Sequence, residues 1–366
     1  MNLRIPGPTP CPPEVLQAMS REMINHRGPA FARIIEKVTA RLKELFLTQS
    51  EVLVLTGSGT GGLEAMVVNT LSPGDEVLGL TNGYFGERLA AIAQDFGAKI
   101  TRLDFPWGEP VDPGEVRQAL KKNPNYKAVL LVHNETSTGV TNDLKGIAEI
   151  VREHDKLFLV DAVSSLGSLP CCMDAWGLDV VVTCSQKGWM APPGLAMVGI
   201  SSRGWKAVEQ AKMPRHYWDF RTAKQYLARG QTSWTPAVST FFALEVGLEL
   251  MAREGLENIW ERHRRVGQRA REGAKALGLS PLPPEPVASN TVTAIRAPEG
   301  LDVARLVKIL LEEYDTDLAG GQGKLSGKIF RIGHLGYVTE ADIDLTLKAI
   351  AKALPRAGYA IPQGLR

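Results

Sequence analysis

One lysine, Lys187, stands where two apolar segments meet. It follows a β-branched run at residues 180–183, which is typical of a buried strand, and it precedes a second apolar run, Leu195–Ile200. A lysine between two buried strands is unfavourable unless its ammonium is paired, reaches solvent or is used covalently. A loop lysine that simply reaches water is the ordinary alternative, so the other polar segments of the chain decide between these possibilities.

A glycine-rich segment, TGSGTGG at residues 56–62, lies between a predicted strand and a predicted helix. Glycines let the backbone approach an anion, and a helix N-terminus offers unpaired N–H donors. The spacing also satisfies the dinucleotide pattern G-x-G-x-x-G, which requires an acidic residue at the end of the next strand. That strand runs instead into a Thr-Asn-Gly segment at 81–83. The segment therefore predicts a phosphate cradle and not a nicotinamide dinucleotide site.

Two further polar sites follow predicted buried strands. Asp161 ends the strand at 157–160, and the polar segment HNETSTG at 133–139 follows the strand at 127–132. In an open α/β sheet, ligands bind outside the carboxyl ends of the strands. Taken alone, Asp161 could equally cap a helix, and the polar segment could form a plain turn. Together with Lys187 and the phosphate cradle, however, Asp161 matches what pyridoxal phosphate requires: an amine for its aldehyde, a carboxylate for its ring nitrogen and donors for its phosphate.

The segments that must position these residues alternate between strand and helix patterns. Short apolar runs recur from residue 51 to residue 200, and stretches of helical periodicity separate them, for example at 62–71 and 88–96. Continuous apolar strands alternating with amphipathic helices predict an α/β fold with a mostly parallel central sheet sandwiched by helices. After residue 235 the pattern changes to two long helices followed by a smaller α/β unit.

We predict three parts from this pattern: an N-terminal arm (1–20), a large cofactor-binding domain (21–255) and a small C-terminal domain (256–366). The arm contains five prolines within its first thirteen residues. Proline lacks the N–H that helices and sheets need, so we expect an extended arm rather than a helix or a strand.

Composition excludes several classes of partner. Of 366 residues, 44% are hydrophobic and 22% charged, with a formal net charge of +2, which is typical of an ordinary globular protein. No basic run favours nucleic acid or a membrane surface, and no apolar run approaches the ~20 residues that span a bilayer. The N-terminal residues have no apolar core of a signal peptide. The cysteines and histidines show neither disulfide nor metal-ligand spacing, so we expect a cytoplasmic protein with no metal site.

The motifs taken together resemble the class V, fold-type I pyridoxal-phosphate aminotransferases, and within them the alanine/serine–glyoxylate (serine–pyruvate) group. The resemblance runs nearly end to end and rests on eight motifs in the order of that family. They are PGPTP (6–10), TGSGT (56–60), NGYFGER (82–88), HNETSTG (133–139), VDAVSSLG (160–167), SQKGWMAPPG (185–194), TPAVS (235–239) and RIGHLG (331–336).

The resemblance implies a role for each matched residue. Lys187 is expected to form the Schiff base with the cofactor and to shuttle the proton, and Asp161 to pair with the ring nitrogen. Arg331 is expected to bind the substrate carboxylate, for which its forked donors suit it; a surface arginine on an edge strand is the alternative. Ser58, Gly59, Thr60 and Gln186 are expected to contact the cofactor phosphate, Phe85 the ring, and Thr136 the region of the ring hydroxyl. Thr232 and Thr235 are expected to contact the phosphate in the neighbouring subunit. The backbone at Gly7 is expected to border the substrate pocket.

These expectations describe a homodimer with shared active sites that moves an amino group from alanine or serine to glyoxylate or pyruvate. Two residues depart from the family pattern. Many relatives stack a tryptophan where this chain has Phe85, and some place a tyrosine near Thr232. Phenylalanine keeps an aromatic face for the ring but offers less area.

Three alternatives remain open. A phosphorylated donor, such as phosphoserine or an aminophosphonate, would need an additional cation from Arg27, Arg33 or Lys324. A cysteine desulfurase is disfavoured because Gln186 precedes the lysine where those enzymes have histidine, and because residues 320–327 contain no cysteine. A non-catalytic paralogue would have no need for the complete set of lysine, aspartate and phosphate-loop residues.

Overall fold

The computed structural model describes residues 1–362, in which strands and helices alternate along most of the chain. The strands are β1 (Asn2–Leu3), β2 (Glu51–Thr56), β3 (Glu76–Thr81), β4 (Lys99–Asp104), β5 (Ala128–Val132), β6 (Asn134–Glu135), β7 (Val140–Thr141), β8 (Leu157–Asp161), β9 (Val180–Cys184), β10 (Leu195–Ile200), β11 (Ser280–Pro281), β12 (Val292–Arg296), β13 (Thr316–Asp317), β14 (Ala319–Gly320) and β15 (Ile329–Gly333). The helices are α1 (Pro13–Met19), α2 (Pro29–Phe46), α3 (Gly59–Thr70), α4 (Tyr84–Asp95), α5 (Pro113–Lys122), α6 (Leu144–Glu153), α7 (Ser202–Gln210), α8 (Phe220–Leu227), α9 (Val238–Glu254), α10 (Leu256–Ala276), α11 (Val303–Tyr314) and α12 (Glu340–Ala353).

Seven of these strands form one sheet in the order β2-β10-β9-β8-β5-β3-β4. Strand β10 is antiparallel to both of its neighbours, and the other pairs of adjacent strands are parallel. Every residue of β5, β8, β9 and β10 is buried, which explains why their sequences are continuously apolar rather than alternating. The expected α/β fold with a mostly parallel central sheet is confirmed.

Two apolar clusters cover the two faces of this sheet. Alternate residues of β9 belong to opposite clusters, since Val181 packs with α2, α6 and α9 whereas Val180 and Val182 pack with α3, α4, α7 and α8. The expected sandwich of sheet between helices is therefore built by the two-residue period of the strands. Helices α7 and α8 were not predicted from the sequence.

A second, smaller sheet lies in the C-terminal part of the chain. Its order is β11-β12-β15-β14, all antiparallel, and residues of α10, α11 and α12 pack against it. Strand β15 is central, with β12 on one side and β14 on the other. The last four residues of the predicted domain 256–366 lie outside the described residues, and the domain boundaries themselves remain predictions.

The expectation that residues 1–20 contain neither strand nor helix is wrong. Asn2 and Leu3 form β1, which pairs in parallel with β13, and α1 begins at Pro13. The prolines do not prevent this helix because Pro12 is its N-cap and Pro13 its first residue, where no intrahelical N–H bond is lost. The segment between β1 and α1, which carries Gly7, bends over residues 5–8 and contains a cis peptide bond between Gly7 and Pro8.

Two helices begin earlier than predicted. Helix α3 starts at Gly59 rather than at residue 62, because the Ser58 side chain accepts a hydrogen bond from Gly61 and caps it. Helix α4 starts at Tyr84 rather than at residue 88, because side chains from a distant segment bind its first N–H groups. Over residues 1–362, none of the helices combines the length and hydropathy required to cross a membrane.

Candidate active site

Five segments that the sequence singled out meet at one edge of the large sheet. Because β2, β3, β5, β8 and β9 run in the same direction, the residues that follow them emerge together. A cavity of about 240 Å³ opens there. It is lined by residues that include Gly7, Ser58, Gly59, Thr60, Phe85, Arg88, Asn134, Thr136, Asp161, Ser164, Gln186 and Lys187.

The turn between β9 and β10 holds Lys187 in place. The Ser185 hydroxyl donates to the carbonyl of Pro192 at 2.6 Å and accepts from the N–H of Leu195 at 3.2 Å. The Trp189 indole, which is fully buried, donates to the Thr183 hydroxyl at 2.9 Å. These contacts make the turn rigid, so the lysine projects from a defined backbone.

The ammonium of Lys187 has one close partner, the carbonyl oxygen of Pro6, at 2.6 Å. No carboxylate among residues 1–362 lies within 4.0 Å of it. Desolvation lowers the pKa of Lys187, with Arg331 and Arg88 acting in the same direction and Cys184 and Asp161 opposing. The lowered pKa increases the fraction of neutral amine, which is the form that attacks an aldehyde or accepts a proton.

Gly7 lies against the Lys187 side chain in a backbone conformation that favours glycine. Its φ is +135°, and a Cβ at this position would overlap the Lys187 side chain. The Thr9 hydroxyl donates to the Lys187 carbonyl at 3.0 Å, which anchors this segment to the lysine turn. The N-terminal segment therefore forms one wall of the cavity.

Asp161 lies at the end of β8 and is 3% exposed. Its Oδ1 accepts from the N–H of Val163 at 2.9 Å, and no protein donor within residues 1–362 reaches its Oδ2. Burial raises the pKa of Asp161, while the Val163 hydrogen bond, Arg88 and Lys187 oppose the shift. A cation placed against Oδ2 would stabilise the ionised carboxylate.

Helix α3 points its N-terminus at the cavity. Its N-cap, Ser58, and its first two residues, Gly59 and Thr60, all line the cavity. The first N–H groups of a helix have no intrahelical acceptor, and the helix dipole favours an anion near them. A Cβ on Gly59 would lie 3.0 Å from both Cys184 and Val163, so glycine lets the helix pack closely here without displacing these side chains.

A network of hydroxyl and amide groups forms the opposite wall. The Thr136 hydroxyl donates to Ser164 at 2.7 Å, and the Ser164 hydroxyl donates to the Asn134 carbonyl at 2.9 Å. The Asn134 amide also donates to the Thr291 hydroxyl at 3.0 Å. Asn134 and Ser164 were not assigned roles from the sequence, although both lie inside quoted motifs.

Phe85 and Arg88 lie on successive turns of α4 and face the same cavity. The Arg88 guanidinium lies over the Phe85 ring, 4.7 Å from its centroid. The Arg88 Nε is buried without an acceptor within the described residues. Arg88 was also missed as a candidate, and the only signal for it was its place at the end of the NGYFGER motif.

Arg331 does not lie at the surface. It is 5% exposed on the central strand β15, which excludes the alternative of a surface arginine on an edge strand. Its Nε donates to the Gly320 carbonyl at 3.0 Å, and its Nη1 to the Thr136 carbonyl and to Gln322 Oε1, both at 3.1 Å. Burial lowers the pKa of Arg331 to about 10, and Glu135 opposes the shift. Arg331 thus sits directly behind the Thr136 wall of the cavity.

Thr232 and Thr235 do not line this cavity within the protomer. They belong to the segment between α8 and α9, where Arg27 donates to the Thr232 carbonyl at 2.6 Å and Thr235 is exposed. Their expected contact is with the neighbouring subunit, so this placement leaves the prediction untested.

Glu135 is the residue that sequence reasoning missed most clearly. Its carboxylate is fully buried and accepts from the N–H groups of Phe85, Gly86 and Ser137, and from the Ser137 hydroxyl at 2.5 Å. Burial raises its pKa and these hydrogen bonds oppose the shift. The carboxylate caps α4 and so positions Phe85 at the cavity.

Comparison with known proteins identifies the family. The family model described as aminotransferase class-V matches residues 1–345. The chain belongs to the class V aminotransferases. Its fold is accordingly that of the fold-type I enzymes, and its cofactor is pyridoxal 5′-phosphate.

Three proteins similar to this aminotransferase have different names. A soluble hydrogenase small subunit from a Synechococcus species is 43% identical over 361 residues, covering 98% of this chain and 94% of the relative. An L-aspartate–glyoxylate aminotransferase from Paracoccus denitrificans is 42% identical over 356 residues, covering 95% and 89%. The crystal structure of an alanine–glyoxylate aminotransferase from a Nostoc species superposes with a TM-score of 0.93 at 34% identity, covering 96% and 94%.

The residues of the cavity fit this cofactor. Within residues 1–362, Lys187 offers an amine without an ion-pair partner, Asp161 offers an oxygen without a protein donor, and α3 offers a helix N-terminus. The Oε1 of Gln186 is likewise buried without a donor among residues 1–362. The cofactor would supply an aldehyde for the amine, a protonated ring nitrogen for the Asp161 oxygen and an anion for the helix N-terminus.

We expect the Glu135→Gln substitution to destabilise the protein by about 1.5–3 kcal/mol, the range for hydrogen bonds to a charged group. The amide keeps one acceptor oxygen but turns an NH₂ toward the N–H donors at the start of α4. Urea unfolding followed by tryptophan fluorescence measures the loss. Glu115→Gln is the matched control, because Glu115 is exposed in the first turn of α5 and should change stability by less than about 0.5 kcal/mol. Equal effects of both variants would contradict the capping role.

Proposed function

We propose that this class V aminotransferase transfers the amino group of a small L-amino acid, alanine or serine, to glyoxylate or pyruvate. The observation that carries the proposal is the shared cavity of Lys187, Asp161 and the α3 N-terminus, with Arg331 directly behind its wall. The family supports amino acid and 2-oxo acid substrates in general. The choice among small substrates is our inference from the site.

Each of the principal side chains has a proposed task. When bound, pyridoxal phosphate supplies an electron-withdrawing ring that makes the Cα–H bond of an amino acid acidic. Lys187 then takes and returns the Cα proton through its neutral amine, for which its lowered pKa suits it. Asp161 keeps a positive charge on the ring nitrogen, and that charge in turn keeps the buried carboxylate ionised.

The cofactor phosphate and ring have proposed contacts as well. We assign the phosphate to Ser58, Gly59 and Thr60 at the N-terminus of α3, with Gln186 beside the lysine. Phe85 would cover one face of the ring, and Thr136 would lie near its hydroxyl group.

Small donors without a phosphate are favoured by the space in the cavity and by the positions of three cationic side chains. The cavity of about 240 Å³ must also hold the cofactor, which leaves little room for a bulky substituent. The three cations named from the sequence for a phosphorylated donor, Arg27, Arg33 and Lys324, are engaged or remote. Lys324 pairs with Glu87 at 2.9 Å, Arg27 holds the 231–233 segment, and Arg33 is exposed on α2 outside the cavity lining.

Aspartate is a second candidate donor, supported by one observation. Arg88 lines the cavity and makes no hydrogen bond to any residue of 1–362, so it is available to a second carboxylate. The Paracoccus relative, 42% identical, is named for aspartate and glyoxylate. We do not propose a hydrogenase activity from the name of the Synechococcus relative, because the residues of the cavity suit amino-group transfer.

We further propose a homodimer with shared active sites. Thr232 and Thr235 lie on a segment outside their own cavity, beside the exposed ring of Tyr217, which stacks on Trp234 at 6.0 Å between centroids. A twofold dimer would bring this segment to the partner's α3 N-terminus, where both hydroxyls contact the phosphate.

Lys187→Ala should lower the rate of transamination by about 10²–10⁴-fold, because it removes the acid–base group. Borohydride reduction fixes the cofactor onto a lysine amine, so intact-mass spectrometry should show the cofactor mass on the wild type and not on the variant. Lys206→Ala, which removes an exposed lysine of α7, is the control and should retain both properties. Cofactor mass on the Lys187→Ala protein would assign the lysine elsewhere.

The substrate assignment is tested with a donor panel of alanine, serine, aspartate and phosphoserine against glyoxylate, pyruvate and 2-oxoglutarate. We expect the highest kcat/KM for alanine or serine with glyoxylate, followed by pyruvate as acceptor. Aspartate as the best donor would establish the second candidate. Phosphoserine with 2-oxoglutarate as the best pair would overturn the substrate assignment and leave the cofactor assignment standing.

Shared sites predict complementation between two inactive variants. Thr235→Asp places a carboxylate against the partner's phosphate and should inactivate by repulsion, and Lys187→Ala inactivates within its own subunit. Co-expressed together, they should recover about a quarter of wild-type activity, because half of the dimers are mixed and each mixed dimer has one intact site. Sites contained within one subunit would give no recovery.

A further inference from the structure

The guanidinium of Arg331 is already largely occupied by protein acceptors. Its single Nε hydrogen is donated to Gly320, and its two Nη1 hydrogens to Thr136 and Gln322. A bidentate grip on a carboxylate needs hydrogens on two neighbouring nitrogens, and only the Nη2 hydrogens remain. The bidentate fork expected from the sequence is therefore not available from Arg331 alone.

The Gln322 side chain supplies what Arg331 lacks. An arginine can only donate, so the oxygen of the Gln322 amide must face it, and the amide NH₂ is turned away. Neither Gln322 Nε2 nor Arg331 Nη2 has an acceptor within residues 1–362, and neither is among the atoms buried without a partner. Two donor nitrogens, one charged and one neutral, are thus free on the two side chains that this hydrogen bond joins.

The loop that carries Gln322 is held at both ends. On one side, the N–H of Gly321 donates at 3.0 Å to the carbonyl of Ile329, the first residue of β15. On the other side, Lys324 pairs with Glu87 of α4 at 2.9 Å and lies 5.0 Å from the Trp107 ring centroid. The loop therefore bridges the C-terminal sheet and the helix whose Phe85 lines the cavity, and it keeps the amide in place.

We propose that Gln322 is a specificity-determining residue that binds the substrate α-carboxylate jointly with Arg331. Gln322 Nε2 and Arg331 Nη2 each donate one hydrogen bond to a different carboxylate oxygen. The inference rests on the proposed function, because it concerns the carboxylate of that substrate. It differs from the sequence expectation, in which Arg331 alone made both contacts.

The test compares donors with and without a carboxylate in the holoenzyme. Stopped-flow absorbance of the cofactor, recorded against alanine concentration, separates the Kd from the limiting rate. Gln322→Leu should raise the Kd for alanine about 10-fold, and Gln322→Glu, which replaces the donor with a negative charge, about 100-fold. The limiting rate should change little. Ethylamine, which has no carboxylate, should bind each variant as it binds the wild type, within about twofold.

Lys324→Ala is the control for an indirect effect through the loop. It removes the contacts with Glu87 and Trp107 but leaves the Gln322 amide, and we expect equal and small changes for alanine and ethylamine. The proposal is overturned if Gln322→Leu binds alanine as the wild type does, or if Lys324→Ala reproduces its carboxylate-selective loss. A wild-type protein whose spectrum responds to no amino acid would overturn the proposed function itself, and the role of Gln322 with it.

Discussion

The site depends on an ammonium group that is withdrawn from water without an ionic partner. Within residues 1–362, Lys187 meets a carbonyl oxygen and no carboxylate closer than 4.0 Å, and its pKa is lowered by desolvation. Such an arrangement is unfavourable for a structural lysine and suitable for one that must be neutral to react. The rigid turn between β9 and β10 and the close approach of Gly7 both serve to hold the amine in this environment.

Two buried carboxylates of the site differ in their hydrogen-bond partners. Asp161 and Glu135 are both buried carboxylates, but their surroundings separate their tasks. Glu135 is saturated by four protein donors and acts as a helix cap, whereas Asp161 retains one oxygen for a cation. Burial alone raises both pKa values, and the number of remaining lone pairs determines which carboxylate is available to a ligand.

The substrate side of the site is assembled from parts that are distant along the chain. The carbonyl of Arg4 accepts from the N–H of Gly333 at 2.5 Å, and Thr136 accepts from Arg331 across 195 residues. The N-terminal segment thus lies between the small sheet and the lysine turn. Any relative movement of the small sheet would move Arg331 and Gln322 together, because both are attached to β14 and β15.

The sequence by itself determined the α/β architecture and the position of Lys187, Asp161 and the α3 N-terminus at one sheet edge. Apolar strand runs with polar residues at their carboxyl ends require only local periodicity and the parallel direction of the strands. Only the tertiary structure decided the early start of α4, the burial of Arg331 and the position of Gln322. Each of these depends on a hydrogen bond between residues that are far apart in the sequence, such as Glu135 and Gly86. Local periodicity does not predict which distant residues will meet. A carboxylate or an amide in a polar loop has the same sequence signature whether it is solvated or buried against a distant donor, and the difference arises when packing removes the water.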